Sequence, residues 1–170
     1  ITRAMFRFHL LEQYSNIHTI HRDARLHLAT YNRDYDAIIM CLPDPSTFQL
    51  NRFYTKEFFQ LVKSRLRDGG VFSFSLEGFD NYLTETRRQK ISSLYQTLLP
   101  YFRNIRIIPG GQLYFLCTDS TVDLHIPRQL HQKKIATRYL AGFFSGDVTP
   151  RRIAYVNHLL DPDSPVNRDL

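Results

Sequence analysis

Tyr35-Asp36-Ala37-Ile38-Ile39-Met40-Cys41-Leu42-Pro43-Asp44-Pro45 is the stretch that decides the fold. Its first eight residues are mostly apolar and of strand length, the pattern of a strand buried on both faces. Pro43-Asp44-Pro45 then breaks the run sharply. Downstream, a polar loop runs to Tyr54, and Thr55 is placed to cap a helix that buries Phe58, Phe59, Leu61, Val62 and Leu66. Gly69-Gly70 is the expected end of that helix, and Val71 to Leu76 reads as a further strand. Thr84 or Asn81 caps a longer helix carrying Ile91, Leu94, Tyr95, Leu98 and Leu99. Ile105 to Ile108 and Gln112 to Thr118 flank Pro109-Gly110-Gly111, a hairpin signal.

Upstream, Ile17 to His21 reads as a short strand, followed by Asp23-Ala24-Arg25 and a short helix over Leu26 to Tyr31. Counted from Ile1, the apolar residues Ala4, Met5, Phe8 and Leu11 keep helical spacing. No capping residue precedes them, so the chain is expected to be a piece of a longer one. Beyond Ile126 the pattern changes, and Ile135 to Phe144 and Pro150 to Leu160 read as two helices. Strand–helix alternation followed by a hairpin argues an α/β fold: a mostly parallel sheet, helices on both faces, a C-terminal antiparallel hairpin and a helical appendage. The division expected is 1–125 for the sheet-bearing part and 126–170 for a helical extension of the same domain.

Composition narrows the function. The 170 residues are 43% hydrophobic and 22% charged, a globular mix. The net charge of +6 permits an acidic partner, but no basic stripe interleaves with exposed aromatics, so no nucleic-acid partner is expected. Arg87, Arg88 and Lys90, and Arg151 and Arg152, read as solvated helix faces; beside a membrane they would meet anionic headgroups. Two cysteines exclude a disulfide scaffold, and both sit in apolar runs that read as buried, reduced thiols. No apolar run reaches the ~18 residues of a membrane span. His18 and His21 fall on opposite faces of their strand and Asp123 and His125 lack a third ligand, so no metal is expected. Phe79 and Tyr82 beside Asn81 read either as a lid or as loop aromatics packed on the core.

In an open α/β sheet, ligands bind outside the carboxyl ends of the strands. Asp23 and Asp44 are expected there, on one rim. Asp23 reads equally as the N-cap of the helix that follows, and the plainer reading of Asp44 is a turn residue. Flanking prolines preset the direction of the Asp44 carboxylate.

The same residues carry a resemblance. Asp23-Ala24-Arg25, Tyr35 to Ile39, Leu42-Pro43-Asp44-Pro45, Asn51 to Phe59, Gly69-Gly70-Val71-Phe72, Ile108 to Leu116 and Val166-Asn167-Arg168-Asp169 follow the order and spacing of spermidine synthase-like proteins, the polyamine aminopropyltransferases. The chain most resembles the branch fused to membrane-spanning segments. The resemblance implies a Rossmann-like class I methyltransferase fold, present in part. It implies aminopropyl transfer from decarboxylated S-adenosylmethionine, as co-substrate, to an amine, with no metal and no tightly bound cofactor. It also implies a cytoplasmic-face location, with membrane contact only through segments outside this chain. Self-association through open sheet edges is expected, up to a homo-oligomer.

By the resemblance, Asp23 and Ala24 hold the adenine, and Gln49 and Leu50 belong to the loop that closes on the nucleoside. Asp44 and Tyr54 bind the amine. Cys41 stands where the family has its catalytic carboxylate, and a thiol of reference pKa ~8.5 is mostly neutral at pH 7. Ile108 replaces an expected aromatic residue and Ser75 an expected Gln. The family's glycine-rich nucleoside loop and ribose-holding acid would lie upstream of Ile1. The alternative expectation is a non-catalytic, ligand-sensing or interaction domain.

Overall fold

Asp23 opens the first described element by accepting a hydrogen bond from the Leu26 amide at 2.9 Å. This bond satisfies one of the orphan donors of a helix start. The computed structural model describes residues 14–79, 83–140 and 148–169. The helix expected from Ile1 to Leu11 and the residues Asn81 and Tyr82 lie outside the described residues. The chain divides into two compact units, Ile1–Tyr31 and Asn32–Leu170. In the first, helix α1 (Ala24–Thr30) buries Leu28. Residues 17–20 form no strand; the backbone bonds there are local, Ile17 to Tyr14 at 3.1 Å and Arg22 to Ile20 at 3.2 Å. A strand forms only where a second strand pairs with it.

The second unit contains β1 (Tyr35–Met40), α2 (Phe48–Asn51), α3 (Lys56–Ser64), β2 (Leu66–Glu77), α4 (Glu85–Leu98), β3 (Asn104–Ile108), β4 (Gln112–Thr118), α5 (Ile126–Gln132) and α6 (Pro150–His158). The strand order is β1-β2-β4-β3. β1 and β2 are parallel, while β2 with β4 and β3 with β4 are antiparallel, so the sheet is mixed.

One face of this sheet is the core. Met40 of β1 pairs with Phe74, and Phe74 with Phe115 of β4. The Phe74 and Phe115 rings stack at 4.6 Å. Above them lie Phe59 of α3, at 5.7 Å from Phe72 and 5.9 Å from Phe74, and Tyr54, edge-on to Phe74 at 5.7 Å. Helix α4 adds Ile91, Leu94 and Leu98 to the buried set.

Three expectations are corrected. β1 is an edge strand, open on one face, with Ile39 at 72% exposure; its only neighbour in the described sheet is β2. Gly69-Gly70 does not end α3. That helix closes at Arg65, whose amide turns back to the Val62 carbonyl at 3.1 Å. The glycines lie inside β2, where the register jumps from Tyr35↔Leu66 to Ala37↔Val71. Gly69 takes φ 75° there, a conformation open to glycine. Of the helix expected over Ile135 to Phe144, residues 135–139 are not helical, Leu140 is, and residues 141–144 lie outside the described residues; α5 precedes this stretch. Pro127 sits in the first turn of α5, where no amide donor is needed.

A clamp joins the end of β4 to α3. Asp119 Oδ2 accepts from Lys63 Nζ at 2.5 Å and Oδ1 from the Arg103 amide at 3.0 Å. These bonds lower the Asp119 pKa below the ordinary carboxylate value. A carboxyl depressed in the folded state stabilises it above the unfolded pKa and ceases to do so as pH falls through the folded value. Asp119→Asn is therefore expected to flatten the acid limb of a Tm-against-pH curve below about pH 4. Both side chains are about one-third exposed, so the loss is under about 1 kcal/mol. Phe74→Ala is expected to lower the unfolding free energy in urea by about 3–5 kcal/mol. Phe48→Ala, at a site 80% exposed, should change it by less than about 0.5 kcal/mol.

Candidate active site

Parallel pairing brings the carboxyl ends of β1 and β2 side by side. The chain leaves β1 at Met40 and turns through Cys41 to Pro45. Asp44 then reaches across to β2: its Oδ1 accepts from the Glu77 amide at 2.8 Å. Its Oδ2 lies 3.0 Å from Lys90 Nζ on α4. The Asp44 carboxylate is 24% exposed and so faces solvent in part. Beside it, Glu77 Oε2 pairs with Arg87 at 2.6 Å, and Arg87 Nη1 donates to the Gly78 carbonyl at 2.8 Å. Gly78 is forced by close approach: a Cβ there would lie 2.6 Å from the Gly111 carbonyl oxygen. The β3–β4 turn is thereby pressed against the end of β2.

The turn is held from below by Tyr54. Its ring is fully buried, and its hydroxyl donates to the Pro43 carbonyl at 2.8 Å, with Leu42 O at 3.4 Å. Burial and the nearby Asp44 charge push the phenol up to about 12. Tyr54 thus remains a hydrogen-bond donor across the physiological range. The placement makes it a positioning residue for the Asp44 turn.

Tyr54 is itself anchored by the chain's last described residues. Asn167 Nδ2 donates to the Tyr54 carbonyl at 3.1 Å and to Asn51 Oδ1 at 2.8 Å. The Asn167 carbonyl receives the Lys56 amide at 2.8 Å, and its own amide donates to Thr97 Oγ1 at 2.9 Å. Asp169 accepts from Thr55 Oγ1 at 2.8 Å, and its amide donates to Glu57 Oε2 at 2.9 Å. This strap ties α3 to α4 directly beneath the site.

Of the sequence-expected residues, the structure brings together Asp44 and Tyr54. Gln49 (exposed) and Leu50 (half-buried) lie on α2, which Thr47 caps by accepting the Leu50 amide at 3.2 Å. Asp23 and Ala24 are exposed at the start of α1 in the first unit, where Asp23 acts as the N-cap. Cys41 is exposed, which corrects its reading as a buried thiol; it lies beyond the last paired residue of an edge strand. Cys117 is buried, and desolvation pushes its thiol far up. Ile108 is buried and Ser75 half-buried. Phe79 packs on Tyr155 of α6 at 6.5 Å.

Sequence reasoning missed Lys90, Arg87 and Glu77. The basic cluster on α4 is not a free face: Arg87 meets Glu77, Arg88 meets Glu85 at 2.8 Å, and Lys90 meets Asp44. The signal available was the i, i+3 spacing of Arg87 and Lys90, which puts both on one side of the helix. Asp123 binds its own neighbour, His125, through both the ring and the amide at 2.8 Å. Among the described residues no three His, Cys, Asp or Glu side chains converge, and no helix is long and apolar enough to cross a membrane.

A mixed α/β sheet with an acidic site at its strand ends defines the Rossmann-like, methyltransferase-type class. Within it, residues 3–126 match the spermine/spermidine synthase domain, and the chain belongs to that family. It is similar to a polyamine aminopropyltransferase of Korarchaeum cryptofilum, 41% identical over 121 residues that are 69% of this chain and 36% of that protein. It is 28% identical over 127 residues to one of Corynebacterium efficiens, covering 70% of this chain and 24% of that protein. The chain thus spans about a third or less of these relatives. Its fold is like that of a spermidine synthase solved with the transition state analogue AdoDATO: TM-score 0.67, 16% identity, 94% of this chain and 57% of that one. The spermidine synthase of Thermotoga maritima gives 0.62, 16%, 94% and 56%.

Asn167→Ala removes two side-chain donor bonds at a part-buried junction and is expected to cost about 1–3 kcal/mol. Tyr54→Phe keeps the ring and leaves Pro43 O without its donor, at about 1–2 kcal/mol. Urea unfolding measures both. Amide exchange near residues 42–46 should accelerate in each variant.

Proposed function

We propose that the chain is the amine-side part of an aminopropyltransferase. In this reading Asp44 holds a cationic amine, and Tyr54 fixes the turn that aims it. Asp23 and Ala24 hold the adenine of decarboxylated S-adenosylmethionine, and Gln49 and Leu50 cover the nucleoside. The amine nitrogen's lone pair attacks the aminopropyl carbon bonded to the sulfonium. The C–S bond breaks, its electron pair stays on sulfur, methylthioadenosine leaves, and the new secondary ammonium gives up a proton to a base. The reaction needs proximity and a base. The observation that carries the reading is Asp44: a partly exposed carboxylate at a strand end, aimed by a backbone donor, in a chain of this family. The active protein is longer than residues 1–170 and carries membrane-spanning segments elsewhere, with this domain in the cytoplasm; the 170 residues alone are inactive.

Cys41 favours a second reading. An exposed thiol stands at the family's catalytic carboxylate and supplies no permanent anion. The domain would then bind the amine or the nucleoside without transferring the group, as a ligand sensor. Two measurements on the intact protein separate the readings. Calorimetry should detect methylthioadenosine and 1,4-diaminobutane; absence of both ends either reading. Aminopropyl transfer above background supports catalysis. Cys41→Asp is expected to raise that rate by about 10²-fold or more, the contribution of a placed general base; no gain in a folded variant assigns the proton elsewhere.

A further inference from the structure

The carboxylate at the centre of the site already has a cation. Lys90 Nζ sits 3.0 Å from Asp44 Oδ2, while Oδ1 is taken by the Glu77 amide. The second acid of the rim, Glu77, is matched by Arg87 at 2.6 Å. Among the described residues of the rim two acids face two bases, so these side chains carry no net negative charge to draw in an ammonium ion. The two donors to Asp44 differ in kind. The Glu77 amide belongs to a paired β-strand, Glu77↔Gln112, and is fixed. Lys90 is a flexible stem on a helix, with its side chain 33% exposed, and its head can swing to water.

We propose that Lys90 is an internal competitor of the amine at Asp44 and lowers the site's affinity for cations. The inference rests on the reading of Asp44 as an amine-binding residue. An incoming ammonium ion needs the same oxygen and the same charge. It enters by exchanging with the lysine head rather than by meeting a bare carboxylate. A lysine tethered on α4 competes at an effective concentration in the millimolar range. A partly exposed ion pair of this kind reduces the affinity of a competing cation by about three- to tenfold. Every amine that binds through Asp44 is weakened by the same factor, so an amine is held tightly despite the lysine only where it gains further contacts, as the second nitrogen of a diamine can.

The test is calorimetric titration of the intact protein with 1,4-diaminobutane, methylthioadenosine being present throughout. Lys90→Met is expected to bind the diamine about three- to tenfold more tightly than wild type. Lys90→Arg, which keeps the charge, should stay within about twofold of wild type. Asp44→Asn should abolish the gain when combined with Lys90→Met. Lys90→Gln, which can still donate to Asp44 Oδ2, serves if the methionine variant does not fold, with the same direction expected. Measurable wild-type binding that neither Lys90→Met nor Lys90→Gln strengthens overturns the role of Lys90 and leaves the reading of Asp44 intact. Tighter binding that survives Asp44→Asn also overturns it, because the competition would then be for another group. Absence of diamine binding in wild type and in both Lys90 variants overturns this inference together with the reading of Asp44.

Discussion

The parallel pairing of β1 and β2 is the constraint on which the site depends. It sets Met40 beside Phe74, so that three residues further along β2 the Glu77 amide faces the loop leaving β1. A parallel pair requires a long crossover, and here α2 and α3 supply it. The crossover is also the cover of the core face, through Phe58, Phe59 and Val62. One segment therefore does two things at once. It closes the hydrophobic layer over Phe72 and Phe74, and it delivers Tyr54 to the underside of the Asp44 turn. Disturbing the aromatic layer would move the carboxylate, although no core side chain touches it in the hydrogen-bonded sense.

The C-terminal strap extends this logic over a long sequence separation. Asn167 satisfies backbone and side-chain groups of Asn51, Tyr54, Lys56 and Thr97, and Asp169 meets Thr55 and Glu57. These are groups at the end of α2, at the start of α3 and inside α4 that secondary structure alone leaves unpaired or weakly paired. The strap's polar bonds act where the aromatic layer ends. It orients the residue that orients the turn.

Local signals in the sequence were legible and distant pairings were not. Thr55 and Thr84 cap their helices as their position before apolar periodicity suggests, and the Pro109-Gly110-Gly111 hairpin forms. Asp23 caps α1, one of the two roles its place allowed. Those readings depend on bonds spanning three or four residues. The β2 bulge was illegible because Gly69 is as apt at a helix end as in a strand with φ 75°. The exposure of β1 was illegible because apolar content does not say how many neighbours a strand has; Ile39 is as hydrophobic at an edge as at the centre. At the site, Asp44 and Tyr54 were read from their motif, whereas Lys90, 46 positions away, carried no pattern beyond its spacing from Arg87.

Cys41 and Lys90 bear on each other through Asp44. A family carboxylate at position 41 would place two like charges at the end of β1, three residues apart, and strengthen the field on any cation. With a cysteine at position 41, Asp44 stands as the one carboxylate of the turn, and a single lysine is enough to neutralise it. An anionic pair would hold an ammonium ion while keeping charge to spare for a lysine neighbour. A lone carboxylate cannot serve both, because each cation that approaches it also repels the other. The thiol and the lysine are thus coupled through Asp44. The cost of placing an ammonium ion at this rim would depend on both.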